Sequence, residues 1–381
     1  MNYLIEELSQ LKDLEPIFKQ LTSNTNSASP SVVAVDTEFL REKTYNAKLC
    51  LVQLGIGEHQ YCIDVLAIDD LSLLKELFES SKVLKLFHAA RQDMEVIYQN
   101  MGVLPKPIFD TQLASAFLGA DMQIGYGALV LEQLEVELPK TQSRTDWTRR
   151  PLSPEQVEYA GDDVAYLEAL YTGALKNLKA EDKLTWYEAE LATYYDLDKY
   201  VVDPAMAYKR LSGGGLSIKQ QYRLKALAEW REGIAIKKNI PRSWVLRDDK
   251  LYELACSKAT DTQQIKDLGV FGRKSVVYMA PQALQILQDT EIGENQLWRR
   301  VEPLNKEEKT LCNRMMKYLS KIALNQKIAQ ALLATRKDIE SLYRHRESNK
   351  LLEGWREAIV GDPLLVFVSE QQSARQAKRP S

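Results

Sequence analysis

The chain has 381 residues, 45% of them hydrophobic and 27% charged, the composition of an ordinary soluble protein large enough for two or three domains. No stretch approaches the roughly 18 consecutive apolar residues of a membrane span, and MNYLIEELSQ lacks a basic region followed by an apolar core, so a cytoplasmic, membrane-free location is expected. The formal charge of −3 divides unevenly: residues 1–200 carry 18 basic against 32 acidic side chains and the remainder 32 against 21, an acidic part that could hold cations and a basic part that could meet a polyanion, or else unpatterned drift of surface charge.

In chain order, SVVAVDTEF, KLCLVQLGIG, HQYCIDV and VLKLFH read as strands. Helical spacing follows in LSLLKELFES, QDMEVIYQN, TQLASAFLG and ALVLEQLEV. Three successive strands and then strand-helix alternation predict an α/β domain over residues 1–200, a mixed sheet with helices on both faces. Residues 153–179 read as one long helix, opened by a Ser153-x-x-Gln156 capping box with Pro154 at its first position. Residues 201–215, with three glycines at 213–215, read as a linker. Beyond it the chain is helical, in two stretches over 216–296 and 297–370, and 371–381 reads as a disordered tail. The four cysteines are far apart, which argues for reduced, structural thiols.

Chemistry is suggested where carboxylates interrupt apolar patterns. In VVAVDTEFL, Asp36 and Glu38 are two apart, so an extended chain points both to one face. Asp93 precedes Val96 and Ile97 by three and four places, and its side chain leans toward the packed side of a helix. Tyr159 and Asp163 are four apart and stack beside the apolar line Val157, Ala160, Val164, Leu167 and Tyr171. Four carboxylates near one sheet repel unless protonated, paired or bound to metal. Oxygen donors without His or Cys select Mg²⁺ or Mn²⁺, and two such ions are a recurrent device for cutting phosphodiesters.

The ordered set D-x-E (Asp36, Glu38), Asp93 and Y-x-x-x-D (Tyr159, Asp163) resembles the tyrosine-bearing subgroup of the DEDD exonucleases. The wording VDTEF, FHAARQD, FDTQLAS and SRTDW…RPL is similar to the bacterial ribonuclease D family. Residues 224–255 resemble an HRDC domain, and the helices of 297–370 fit the second, more divergent module of that family. The resemblance implies an RNase H-like exonuclease domain followed by all-α HRDC domains. It also implies a 3′→5′ exoribonuclease that releases nucleoside 5′-monophosphates from RNA 3′ ends with two divalent metals, tRNA precursors being the typical substrate. Asp36, Glu38 and Asp163 are then expected at the first metal, Asp36 as the bridge, and Asp93 at the second through water. Tyr159 would orient the attacking water. Asp163 rather than its neighbour Asp162 satisfies the Y-x-x-x-D spacing.

Taken singly, each motif has a plainer explanation: a strand end for Asp36 and Glu38, a helix-face acid for Asp93, an aromatic at the edge of the core for Tyr159. Asp110 fits a helix N-cap, and His88 fits a hydrogen-bonded structural histidine. GVFGRKS lacks the spacing of a phosphate loop, so ATP binding is not expected. A DNA exonuclease using the same carboxylates and a non-catalytic RNA-binding scaffold stand as alternatives. The sequence assigns no RNA-contacting residues.

Overall fold

The computed structural model describes residues 1–23, 30–139, 145–298, 302–344 and 350–376. They form two compact units, one of Met1–Leu40, Leu49–Asp196 and Leu304–Ser381, the other of Arg41–Lys48 and Leu197–Pro303.

The first unit is built on six strands: β1 (Asn2–Ile5), β2 (Ser31–Leu40), β3 (Lys48–Ile56), β4 (His59–Ile63), β5 (Val83–Phe87) and β6 (Ile108–Asp110), in the order β1-β4-β3-β2-β5-β6. β1 runs parallel to β4, β2 to β5 and β5 to β6, while β3 and β4 pair antiparallel. The mixed sheet is thus as expected. β2 lies between β3 and β5, and Val33, Ala34 and Val35 are buried there, which fixes its register. Helix Pro154–Ala165 rests so close to the sheet that a Cβ on Gly55 would meet Ala34 Cβ and the Val164 carbonyl at 3.0 Å. A glycine in β3 is what permits that approach.

Several elements differ from the sequence reading. The helix expected over 153–179 is two helices, Pro154–Ala165 and Leu167–Ala180, divided at Tyr166 (φ −110°, ψ 1°). The Tyr126 hydroxyl fills the break, accepting from the Tyr166 N–H and donating to the Asp162 carbonyl, both at 3.0 Å. Strands β1 and β6 and the helices Glu15–Ser23 and Leu184–Ala192 were not anticipated. Helix Asp362–Gln376 extends into the residues read as a tail, while 377–381 lie outside the described residues.

From Leu304 onward the chain counts with the sheet rather than with the preceding helices. Ala329 N–H donates to the Ala116 carbonyl at 2.8 Å. The buried Lys183 ammonium joins the carbonyls of Phe117 (2.9 Å) and Lys327 (3.0 Å). Trp355 stacks on Trp186, and Arg356 pairs with Glu190 at 2.8 Å.

In the second unit, helix Ile218–Lys238, capped by Ser217 and Gln220, packs Leu224, Leu227 and Ala228 against Leu251, Leu254, Ile265 and Ala283. The residues read as a linker, 201–215, carry a 3₁₀ helix, Pro204–Arg210. Its Ala207 enters this core because Asp203 caps the turn through the Ala205 N–H. Residues 41–48 are also part of this unit. The Tyr45 and Asn46 N–H groups donate to Asn239 Oδ1 (3.1 and 3.0 Å), and the Tyr45 hydroxyl donates to buried Glu232.

Candidate active site

β2 delivers Asp36 and Glu38 to one face two residues apart, beyond the buried run that anchors the strand. Between them, Thr37 turns the other way, and its hydroxyl donates to Asp93 Oδ1 at 2.5 Å. Asp93 sits in the first turn of helix Arg91–Met101 and is 7% exposed.

The turn feeding that helix is held by Asp110. Its buried carboxylate accepts from the N–H groups of Ala89 (3.1 Å), Ala90 (3.0 Å), Gln112 (2.9 Å) and Leu113 (3.2 Å). Asp110 is therefore the N-cap expected of helix Thr111–Phe117 and also the tether of a turn in which Ala89 adopts φ 62°. Only the first role follows from sequence, because the second depends on β5 and β6 lying side by side.

Tyr159 and Asp163 come from helix Pro154–Ala165, whose Ser153–Gln156 capping box forms as read. Trp147 packs its ring against Tyr159 at 6.2 Å between centroids. The segment bearing Trp147 is pinned by Arg150, whose guanidinium forks onto the buried carboxylate of Asp64 and also donates to the carbonyls of Trp147 (2.8 Å) and Cys50 (3.1 Å). The five expected residues line a single pocket of about 280 Å³, with Thr37, His88, Gln92 and Tyr126 among its other walls. Carboxylate oxygens of Asp36, Glu38 and Asp163 lie within 4.8 Å of one another. Asp163, and not Asp162, joins this cluster. Asp93 shares the pocket outside the close trio.

The electrostatics follow from burial. Desolvation first, and then the charge of Asp163, hold Asp36 well above the ordinary carboxyl range. Asp93 is raised by burial and by Asp36. Glu38 is pushed up to about 9 by burial and by Asp36, Asp163 and Asp93. Asp163 rises to about 7, mainly by burial, against a hydrogen bond from the Tyr159 hydroxyl that favours its charged form. Burial and the surrounding acids raise the Tyr159 phenol as well, so it stays protonated.

Among the described residues, no lysine or arginine lines this pocket. The trio offers three carboxylate oxygen donors without His or Cys, and hard divalent cations fit that donor set. His88 bonds through both ring nitrogens, Nδ1 with Thr111 Oγ1 (3.0 Å) and Nε2 with the Ile124 carbonyl (2.9 Å), consistent with the structural role expected of it. The roles of Thr37, Trp147 and Tyr126 were not anticipated. Trp147 lies in SRTDW, quoted above for its wording alone, and Tyr126 opens an apolar helix without any local signal.

Compared with known proteins, residues 5–179 match the 3′-5′ exonuclease family and residues 220–287 the HRDC domain. Ribonuclease D of Jannaschia sp. is 38% identical over 88% of this chain and 89% of its own, and that of Zymomonas mobilis 33% identical over 88% of each. The chain belongs to the ribonuclease D family. A crystal structure of Escherichia coli RNase D, described as an exoribonuclease involved in structured RNA processing, superposes with a TM-score of 0.82 at 28% identity, covering 97% of this chain and 99% of that one. As a member of the ribonuclease D family the protein is a nuclease of the 3′-5′ exonuclease class, with an exonuclease domain followed by a helical HRDC domain. Among the described residues, no helix is long and apolar enough to cross a membrane.

Proposed function

We propose that this member of the ribonuclease D family is a cytoplasmic 3′→5′ exoribonuclease that removes nucleoside 5′-monophosphates from free RNA 3′ ends, with tRNA precursors among its substrates. The observation that carries the reading is the approach of the Asp36, Glu38 and Asp163 carboxylates to within 4.8 Å on elements far apart in sequence. Asp36, Glu38 and Asp163 would hold one divalent ion, Mg²⁺ or Mn²⁺, and Asp36 with Asp93 would serve a second. When bound, such a pair activates a water and takes up charge on the leaving oxygen.

The remaining chemistry belongs to the chain. Thr37 holds Asp93 in place, and Trp147 holds the Tyr159 ring. Tyr159 keeps its proton, so it acts as a hydrogen-bonding group that places the attacking water and not as a base. The helices of 216–296 and 297–370 serve as two HRDC-type modules, and the excess of basic residues beyond residue 200 supplies sequence-independent, salt-sensitive attraction for RNA.

The test is a matched assay of 3′-tailed RNA and DNA of one sequence with Mg²⁺, Mn²⁺ or EDTA, identifying the products. Release of 5′-mononucleotides from RNA, abolished by EDTA and by Asp36→Ala, is the expected result. Preferential degradation of DNA, or trimming that survives Asp36→Ala, would overturn the reading.

A further inference from the structure

The first unit contains a second concavity, separate from the carboxylate pocket. Its one wall is the loop Leu118–Gln123 and its other the residues Met316 to Thr335 of the C-terminal helices. At about 1090 Å³ it is slightly larger than the usual range of small-molecule pockets, roughly 300 to 1,000 Å³, and it is open. Both walls belong to the same unit and are joined by hydrogen bonds. Ala329 N–H meets the Ala116 carbonyl, and Lys183 joins the carbonyls of Phe117 and Lys327.

Three observations bear on what it binds. The lining mixes apolar side chains, Leu118, Met122, Met316 and Leu324, with the amides Gln123 and Gln330, a surface that suits unstacked bases with polar edges. Leu324 is 79% exposed. Lys327 lines the groove, and helical spacing sets exposed Lys317 and Lys321 beside Ser320 and Leu324 of the same wall, whereas Asp121 is the one acid lining it among the described residues. The cationic margin favours a polyanion. Finally, the loop wall continues directly into the active-site pocket. Ile124 supplies the carbonyl bonded to His88, and Tyr126 lines that pocket, so Gln123 is separated from it by no more than about 11 Å of chain.

We propose that this groove binds the single-stranded RNA upstream of the scissile nucleotide, with Lys317, Lys321 and Lys327 against phosphates and Leu324 against a base. The proposal rests on the exoribonuclease reading above.

The experiment compares the full-length protein with Lys317→Gln/Lys321→Gln, with Leu324→Ala, and with Lys82→Gln as an exposed lysine outside the groove. Each is given a long single-stranded RNA and a dinucleotide too short to leave the pocket, with anisotropy of the long RNA measured in EDTA. The double lysine variant should bind the long RNA about tenfold or more weakly, with a salt slope flatter by about 1.4, the loss of two single-strand phosphate contacts. Leu324→Ala should weaken binding with its slope unchanged. Turnover of the dinucleotide and the behaviour of Lys82→Gln should match the parent.

Unchanged RNA affinity in the groove variants would overturn the proposal and leave the groove to another class of partner, such as a protein. Equal losses on both substrates would also overturn it, by showing a disturbed active site. Failure of the exoribonuclease reading is distinguishable, since it shows in the parent protein and Asp36→Ala alone, as preference for DNA or RNA trimming that survives the substitution, whatever the groove variants do.

Discussion

Glu38 shows what the carboxylate cluster costs without cations. Its folded value of about 9 stands above the ordinary 4.5, so between those values the folded protein keeps a proton that the unfolded chain has released. Metal-free stability must therefore fall as pH rises through that window. Melts in EDTA should show a lower Tm at about pH 8 than at about pH 5, with Glu38→Gln more stable than the parent at the higher pH by about 1 to 3 kcal/mol. Added Mn²⁺ should raise the parent's Tm and leave the variant's nearly unmoved; a parent indifferent to Mn²⁺ would contradict the assignment. Tyr126, a wall of the same pocket, bears on the cluster because its hydroxyl bonds the Asp162 carbonyl beside Asp163. Tyr126→Phe should cost about 1 to 3 kcal/mol in urea unfolding and weaken Mn²⁺ binding by calorimetry. Asp36, Glu38, Tyr159 and Asp163 were legible because spacings of two and four are fixed by the strand and the helix themselves. Thr37 and Tyr126 were not, because their partners are 56 and 36 residues away.

At the scale of elements, strong periodicity survived and tertiary demands did not show. The apolar runs of β2, β3 and β5 were readable, whereas β6 has three residues and is a strand only because β5 pairs with it. The helix over 153–179 kept its apolar line through Tyr166, so periodicity could not reveal a break that Tyr126 satisfies from another helix. The seating of Pro154–Ala165 on the sheet depends on Gly55. Gly55→Ala should destabilise the protein by about 1 to 3 kcal/mol. It should also lower kcat, because Tyr159 and Asp163 ride on the displaced helix; steady-state kinetics beside a denaturation curve would reveal a variant that loses stability alone.

For the whole molecule, the sequence divides by composition at about residue 200, but packing divides it elsewhere. Residues from Leu304 complete the nuclease unit, through contacts of Trp355 and Arg356 that pattern reading cannot assign to a distant helix. A chain ending before Leu304 would leave Glu190 without Arg356 and Trp186 without its stacked partner. Its nuclease unit should unfold about 3 kcal/mol or more below the full chain, read by far-UV circular dichroism in urea. Equal midpoints would show that these contacts contribute nothing.

The strand bearing Asp36 and Glu38 runs at Leu40 directly into residues 41–48, which are built into the helical unit through Tyr45, Asn46 and Asn239. The backbone thus crosses between the units four times, at 40/41, 48/49, 196/197 and 303/304. The helical module is consequently not a cassette on a tether. A protease that cut both connections flanking 197–303 would leave that fragment clasped by eight residues of the nuclease chain, and a graft of the module onto another nuclease would have to carry those eight residues with it.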